Sequence, residues 1–328
     1  MNSLRLVCAV WVVLGHAGGI PLANVLSRVG TPGSVTSFIA AVNGVAFNGV
    51  AAVMVFFVIS GFCIHFPVAV TGRLSAMRFW IRRGLRIGLP LTAAIILSNL
   101  LLGRTSALDP VLWSLYCELI YYLIYPGLLK VALAIGWHLV LVISAAASVI
   151  VVLFVHNASG FIWNYELAFT WVYGLPVWVS GVVMAELILK PSQALAPSRL
   201  WSLRALVWLA ASVATVLHFH SPFHYNVSML AFSPLAFFWV KEEARAAQSR
   251  GASKILEIGG KASYSLYLCH MIVLAALALP LRIMAGQFAE EWLACAAFCG
   301  GFYMLIESPS HNLARLVSRW MPNERRFA

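Results

Sequence analysis

The sequence predicts an all-α, polytopic membrane protein of about ten transmembrane helices with both termini in the cytoplasm. Three observations predict it. Hydrophobic residues make up 62% of the chain and charged residues 10%, with a mean hydropathy of +0.88, whereas a soluble domain carries about a quarter charged residues. Ten runs, each about 17 to 25 residues long and mostly apolar, follow one another along the chain. Of the 22 Lys and Arg residues, all but Arg28, Arg104 and Arg282 fall in segments on the side of the N-terminus. That bias is the positive-inside signature.

The runs lie at 4–20, 45–66, 87–103, 112–129, 137–155, 171–189, 201–218, 225–240, 262–281 and 290–308. Segments on the outer side are short, the longest a loop from Pro21 to Gly44. The whole of 1–328 therefore reads as one membrane-embedded domain without a separate soluble unit. No cleavable signal peptide is expected, because the first run lacks a small-residue cleavage site. The formal charge of +11 is topogenic, which excludes nucleic acid as a partner and leaves membrane lipids. The six cysteines sit in apolar runs without CxxC spacing and read as small buried hydrophobes, so neither disulfides nor a metal site is expected.

Ionisable side chains inside apolar spans are costly and point to function. In the first run, LRLVCAVWVVLGH, Arg5 and His16 are eleven positions apart. On a helix they lie about 20° from one face line and about 16 Å apart along the axis. That places Arg5 at one membrane surface and His16 near the middle of the ~30 Å hydrocarbon layer. In FWIRRGLRIGLP, Arg82, Arg83 and Arg86 cluster at the start of the third run, where guanidinium forks suit phosphate oxygens. In LWSLYCELIYYLIYP, Glu118, Tyr122 and Tyr125 recur at i, i+4 and i+7 with Ser114 a turn earlier. This is a polar stripe that must face protein, with Glu118 about 9 Å below the outer surface. In KASYSLYLCH, Ser263, Tyr267 and His270 share a face. Ser60 and Gly61 in VISGF allow close approach of a second helix. Glu307, in YMLIESPSHNLAR, ends the last run, where a loop arginine would be its plainest partner.

Taken in order, these motifs resemble the acyltransferase 3 family of integral membrane acyltransferases. The resemblance rests on the Arg5-to-His16 spacing, FFVISGF at 56–62, RGLRIGLP at 83–90, LWSLYCELIYYLIYP, SYSLYLCH at 263–270 and the ESP of 307–309. It implies a ten-helix fold in the bacterial inner (cytoplasmic) membrane that moves an acyl group, usually acetyl. The donor would be cytoplasmic acetyl-CoA or another acyl-CoA, with no metal. The acceptor would be a hydroxyl of an extracytoplasmic or lipid-linked glycan. Two departures stand out: Leu119 follows Glu118 where the family commonly has a second acidic residue, and Tyr116 and Cys117 replace small or apolar residues. The appended hydrolase-like domain of some members is not expected.

Under this reading Arg5, Arg82, Arg83 and Arg86 hold CoA phosphates, and His16 is catalytic base or transient acyl carrier. Glu118 is a second catalytic residue, orienting His16 or the acceptor. Tyr122, Tyr267 and His270 orient His16 or the acceptor, with Ser60 and Glu307 as further orienting groups. A proton-coupled secondary transporter would also need intramembrane His and Glu. A structural subunit of a polysaccharide biosynthesis or export complex would need neither.

Overall fold

The computed structural model describes residues 1–20, 30, 32–103, 108–278, 288–320 and 325–326. Thirteen α-helices make up nearly all of it. They are α1 (Asn2–His16), α2 (Gly33–Ala46), α3 (Gly49–Thr71), α4 (Ala76–Leu102), α5 (Asp109–Ile135), α6 (Trp137–Phe154) and α7 (Glu166–Leu187). They continue with α8 (Pro197–His220), α9 (Tyr225–Arg250), α10 (Lys254–Gly259), α11 (Ser263–Ala278), α12 (Phe288–Phe302) and α13 (Ser308–Arg319). All ten apolar runs fall on helices, although the end of the 262–281 run lies outside the described residues, as do Arg28, Arg104 and Arg282. Among the described residues six helical stretches are by themselves long and apolar enough to cross a membrane.

Two differences from the expected layout have plain causes. The stretch expected as a loop up to Gly44 carries helix α2, which at 14 residues is too short to span and leaves Phe38 exposed. Hydropathy alone passes over such a helix. Helix α4 begins eleven residues before the expected run, and the arginine cluster lies well inside it rather than at its end. An apolar-run criterion stops at the first charges, but the backbone continues to Ser75, whose hydroxyl accepts from the Arg78 N–H at 3.4 Å. Helix α9 likewise carries its charged end, through Arg250, as helix.

The centre of the bundle is the α3–α7 pair. Gly61 and Gly181 face the partner backbone so closely that a Cβ on either would collide with the Trp178 or Val58 carbonyl. The close approach expected at Ser60–Gly61 is therefore present. Cys8, Cys117, Cys269, Cys295 and Cys299 are buried and all six thiols are free, with Cys295 and Cys299 Sγ atoms 3.9 Å apart one turn along α12.

Helix α1 is fixed at its start by Glu257 in α10, which accepts from the Ser3 N–H at 2.9 Å and the Ser3 hydroxyl at 2.7 Å, with the Met1 amino group 3.2 Å away. Desolvation raises the Glu257 carboxyl, but these donors together outweigh it and hold the group at about 2, against an ordinary 4.5. Helix α13 is amphipathic and lies against α4, where the Arg78 guanidinium donates to the Ser318 carbonyl at 2.9 Å. Beside it, Arg73 and Leu74 pair antiparallel with Arg326 and Arg325.

Gly181→Ala should overpack the α3–α7 contact and destabilise the protein by about 1–3 kcal/mol, read as a lowered midpoint of unfolding in detergent. Glu257→Gln should cost about 1 kcal/mol at pH 7, since the carboxylate is partly solvent-screened. A depressed carboxyl contributes above its unfolded value, so the gap between parental and variant stability should be constant above about 4.5 and close as pH falls toward 2.

Candidate functional site

A cavity of about 450 Å³ opens among α1, α3, α4, α5, α11 and α13. Its walls carry the cations Arg5, Arg83, Arg86, Lys261 and Arg315 with His311 and Glu307, together with Ser60, Glu118, Tyr122, Ser114 and Tyr267. Arg83, Arg86, His311 and Arg315 also line a second basin of about 560 Å³, where Arg73, Arg78 and Arg82 join them. Segments distant in sequence thus bring their cations to one end of the molecule. Neither Asp nor Glu is among the described residues lining the second basin.

Two clusters keep this basic region ordered. Arg86 donates through Nε to His311 Nε2 at 3.0 Å. A guanidinium only donates, so His311 presents a lone pair and is neutral. Burial, with repulsion from Arg86, Arg315, Arg5 and Arg83, pushes its imidazole down to about 4. Arg83 sits over the Tyr122 ring at 5.5 Å and the Phe79 ring at 5.9 Å.

Glu307 lies in a π-helical turn, Tyr303–Glu307, of the kind often found at functional sites. It is 2% exposed. Its hydrogen bonds come from the Ser265 N–H at 3.0 Å and the Ser265 hydroxyl, rather than from a loop arginine, and its other oxygen is 3.6 Å from His311 Nε2.

Deeper in the cavity, Glu118 accepts from the Ser60 hydroxyl at 2.6 Å and from the Tyr122 hydroxyl. Trp178 Nε1–H donates to Ser60 Oγ at 3.2 Å. The α5 stripe therefore splits. Glu118 and Tyr122 meet Ser60 on α3, while Tyr125 turns to His65, whose Nδ1 lies 2.9 Å from its hydroxyl. Glu118 makes no hydrogen bond to His16; its partners are Ser60 and Tyr122.

The partner of His16 is His270. His16 Nδ1 and His270 Nε2 are 3.0 Å apart, with the rings stacked at 5.1 Å, and His270 Nδ1 lies 3.1 Å from the Leu266 carbonyl. A carbonyl only accepts, so His270 Nδ1 carries a proton. In the uncharged pair its Nε2 is then the acceptor and His16 Nδ1–H the donor, which leaves His16 Nε2 with a bare lone pair. His270 is buried and His16 exposed.

His16 does not line the basic cavity. It lines another chamber, of about 460 Å³, with Asn48, Trp113, Phe161, Trp163, Thr215 and Tyr225. Val53 and Tyr267 line both spaces. The Tyr267 hydroxyl is 2.6 Å from Ser114 Oγ, and the ring meets Phe56 edge-on at 5.6 Å. One aromatic side chain and one valine are thus common to the walls of the cation-lined cavity and the imidazole chamber. The α11 stripe runs past both: Ser263 in the cavity, Tyr267 in the partition, His270 on His16.

A model of the acyltransferase 3 family, described as an acyltransferase domain, matches residues 1–306. The chain belongs to the acyltransferase 3 family. No curated protein matches it, and no solved structure does. Membership makes this multi-pass helical protein an acyltransferase. The family requires an acyl donor, and among the described residues no group of three His, Cys, Asp or Glu side chains is arranged to hold a metal ion.

Sequence reasoning missed His311, Lys261 and Arg315 as cavity residues. His311 stood one turn beyond Glu307 in a quoted stretch, and the i, i+4 spacing of an acid and an imidazole was the available signal. Replacing Arg86 with Met should relieve repulsion on His311, so that its imidazole, titrated by NMR of labelled histidine, moves upward from about 4.

Proposed function

We propose that the chain carries an acyl group, acetyl foremost, across the bacterial inner membrane from cytoplasmic acyl-CoA to a hydroxyl of an extracytoplasmic or lipid-linked glycan. In this reading the ten apolar runs are ten crossings and both termini are cytoplasmic. One observation supports it above the others. The cavity lined by Arg5, Arg83 and Arg86 ends on the same Tyr267 that walls the chamber of His16.

The shape of the donor suits that arrangement. Coenzyme A has its phosphates at one end and its thioester at the far end of a long, uncharged arm. Arg82 in the outer basin, with Arg83 and Arg86 between basin and cavity, meets the phosphates by charge-assisted hydrogen bonds. Arg5 and Lys261 continue that lining inward. The arm then passes Glu118, whose carboxylate is held by Ser60 and Tyr122 and accepts from amide N–H groups along the arm. The thioester comes to rest at Ser114 and Tyr267.

When the Tyr267 ring turns aside, the thioester meets the acceptor hydroxyl that faces His16. Its oxygen attacks the thioester carbonyl carbon, the C–O bond forms and the C–S bond breaks. The hydroxyl proton goes to the lone pair of His16 Nε2 and from there to the departing thiolate. His270 acts through His16: by accepting the Nδ1–H it selects the tautomer whose Nε2 is basic. Glu307 and Ser265 hold α11 to the π-turn and so fix the height of His270 and Tyr267. Nothing in the observations favours the transporter reading, which would leave acyl-CoA intact.

The test is acetyl-CoA cleavage and glycan O-acylation, followed by mass spectrometry, with the purified chain in lipid nanodiscs. His16→Ala should abolish transfer. Arg83→Ala should raise the KM for acyl-CoA by roughly 10- to 100-fold with little change in kcat, as expected from losing a charge-assisted contact of about 1.5–3 kcal/mol. Transfer by His16→Ala at the parental rate would sink the assignment of the base.

A further inference from the structure

The His16 chamber differs chemically from the cavity behind it. Its wall is aromatic: Trp113 on α5 and Trp163 in the short turn Ile162–Tyr165 lie 5.8 Å apart at 41°, and Phe161 stacks on Trp163 at 4.6 Å and 22°. Among the described residues lining the chamber there is no Asp, Glu, Lys or Arg. Trp163 is 37% exposed, so the shelf is not simply the bundle's core.

The shelf is also built to stay in place. Asn157 donates to the Phe161 carbonyl at 2.7 Å and accepts from the Gly160 N–H at 3.1 Å. From α9, the Asn226 N–H donates to the Gly160 carbonyl at 3.0 Å and its side-chain amide donates to the Tyr165 hydroxyl at 3.0 Å. Phe161 rests on His218 at 4.3 Å. These ties hold both ends of the segment that presents Phe161 and Trp163.

An aromatic face carries the negative part of its quadrupole. The C–H face of a six-membered sugar ring is apolar and weakly positive, so it packs on such a shelf while its hydroxyl groups project from the edge. A carboxylate entering the same chamber would give up water and meet no Lys or Arg among the described residues that line it. A volume of about 460 Å³ accommodates one or two such rings rather than a length of polymer.

We infer that the chamber beside His16 is a subsite for an uncharged, hydroxyl-bearing sugar ring stacked on the Trp113–Trp163 shelf, and that it discriminates against acidic sugars. This deepens the proposed function and rests on it, since the ring is the acceptor whose hydroxyl meets His16. Selection arises because the same unit must leave bulk water to reach the imidazole, and only a neutral ring does so without an uncompensated charge.

The experiment uses the full chain in nanodiscs and ligand-observed saturation-transfer NMR with methyl glucoside, methyl galactoside and the matching methyl uronates. Transfer to the ring C–H protons of at least one neutral glycoside is expected, with the uronates at least about tenfold weaker. Trp163→Ala should weaken neutral binding about tenfold or more, and Trp163→Phe should retain most of it. Both variants are checked for a parental unfolding midpoint, and Trp163→Phe carries the comparison if Trp163→Ala fails that check.

Uronates binding as well as neutral glycosides, no neutral glycoside binding, or unchanged binding in Trp163→Ala would each overturn the inference. Acetyl-CoA cleavage by the parental protein is scored separately. Cleavage without the ring preference defeats this inference alone. Neutral-ring binding without any cleavage defeats the transferase reading and, with it, the ring's role as acceptor.

Discussion

The hydrogen bond from His16 to His270 is the contact on which the rest of the site depends. An imidazole in an apolar bundle has two nitrogens and, uncharged, one proton. Here the proton's location is set by a chain that starts at a backbone carbonyl: Leu266 takes the His270 Nδ1–H, His270 Nε2 takes the His16 Nδ1–H, and His16 Nε2 is left bare. The two helices that carry these rings are far apart in sequence. Their alignment rests on devices at the other end of the bundle, namely Glu257 holding the start of α1 and Glu307 holding Ser265 at the start of α11. A lateral shift of either helix would lengthen the 3.0 Å contact and release the tautomer.

Much of this was legible in the residues, and the missing part has one cause. Helix α1 could be read because apolar residues run unbroken between Arg5 and His16, and helical geometry put both on one face. The Glu118–Tyr122 contact was visible as an i, i+4 pair, and Gly61 as a point of close approach. What spacing within one helix could not give was the neighbour on another helix. Of the four groups expected to orient His16 or the acceptor, Glu118 bonds to Ser60 and Tyr122, while His270, 254 positions away, meets the ring. Helix α2 escaped because its 14 residues, Ser34, Thr36, Ser37 and Asn43 among them, fall short of a span.

The arginines show a second principle. Like charges gathered on one wall repel one another, and Arg83 and Arg86 are offset by neighbours that carry no full negative charge: a neutral imidazole for Arg86, and the faces of Tyr122 and Phe79 for Arg83. Glu307 is hydrogen-bonded to Ser265, and its carboxylate also acts on Arg86 and Arg5 through space. The cations are therefore held in position and only partly neutralised. A field left standing in a low-dielectric recess favours a polyanion over water far more than scattered surface charges would.

The partition completes the logic of a membrane-embedded transfer. Were the basic cavity and the imidazole chamber one open tunnel, water and ions would pass, and a thioester brought to a basic nitrogen would meet water as readily as a sugar hydroxyl. Val53 and Tyr267, one small and one large apolar surface, are the lining residues the two spaces share. Tyr267 is placed to yield: its hydroxyl is held by Ser114, a contact that turning the ring would exchange for another hydrogen-bonding group on an entering arm. A valine offers no such exchange.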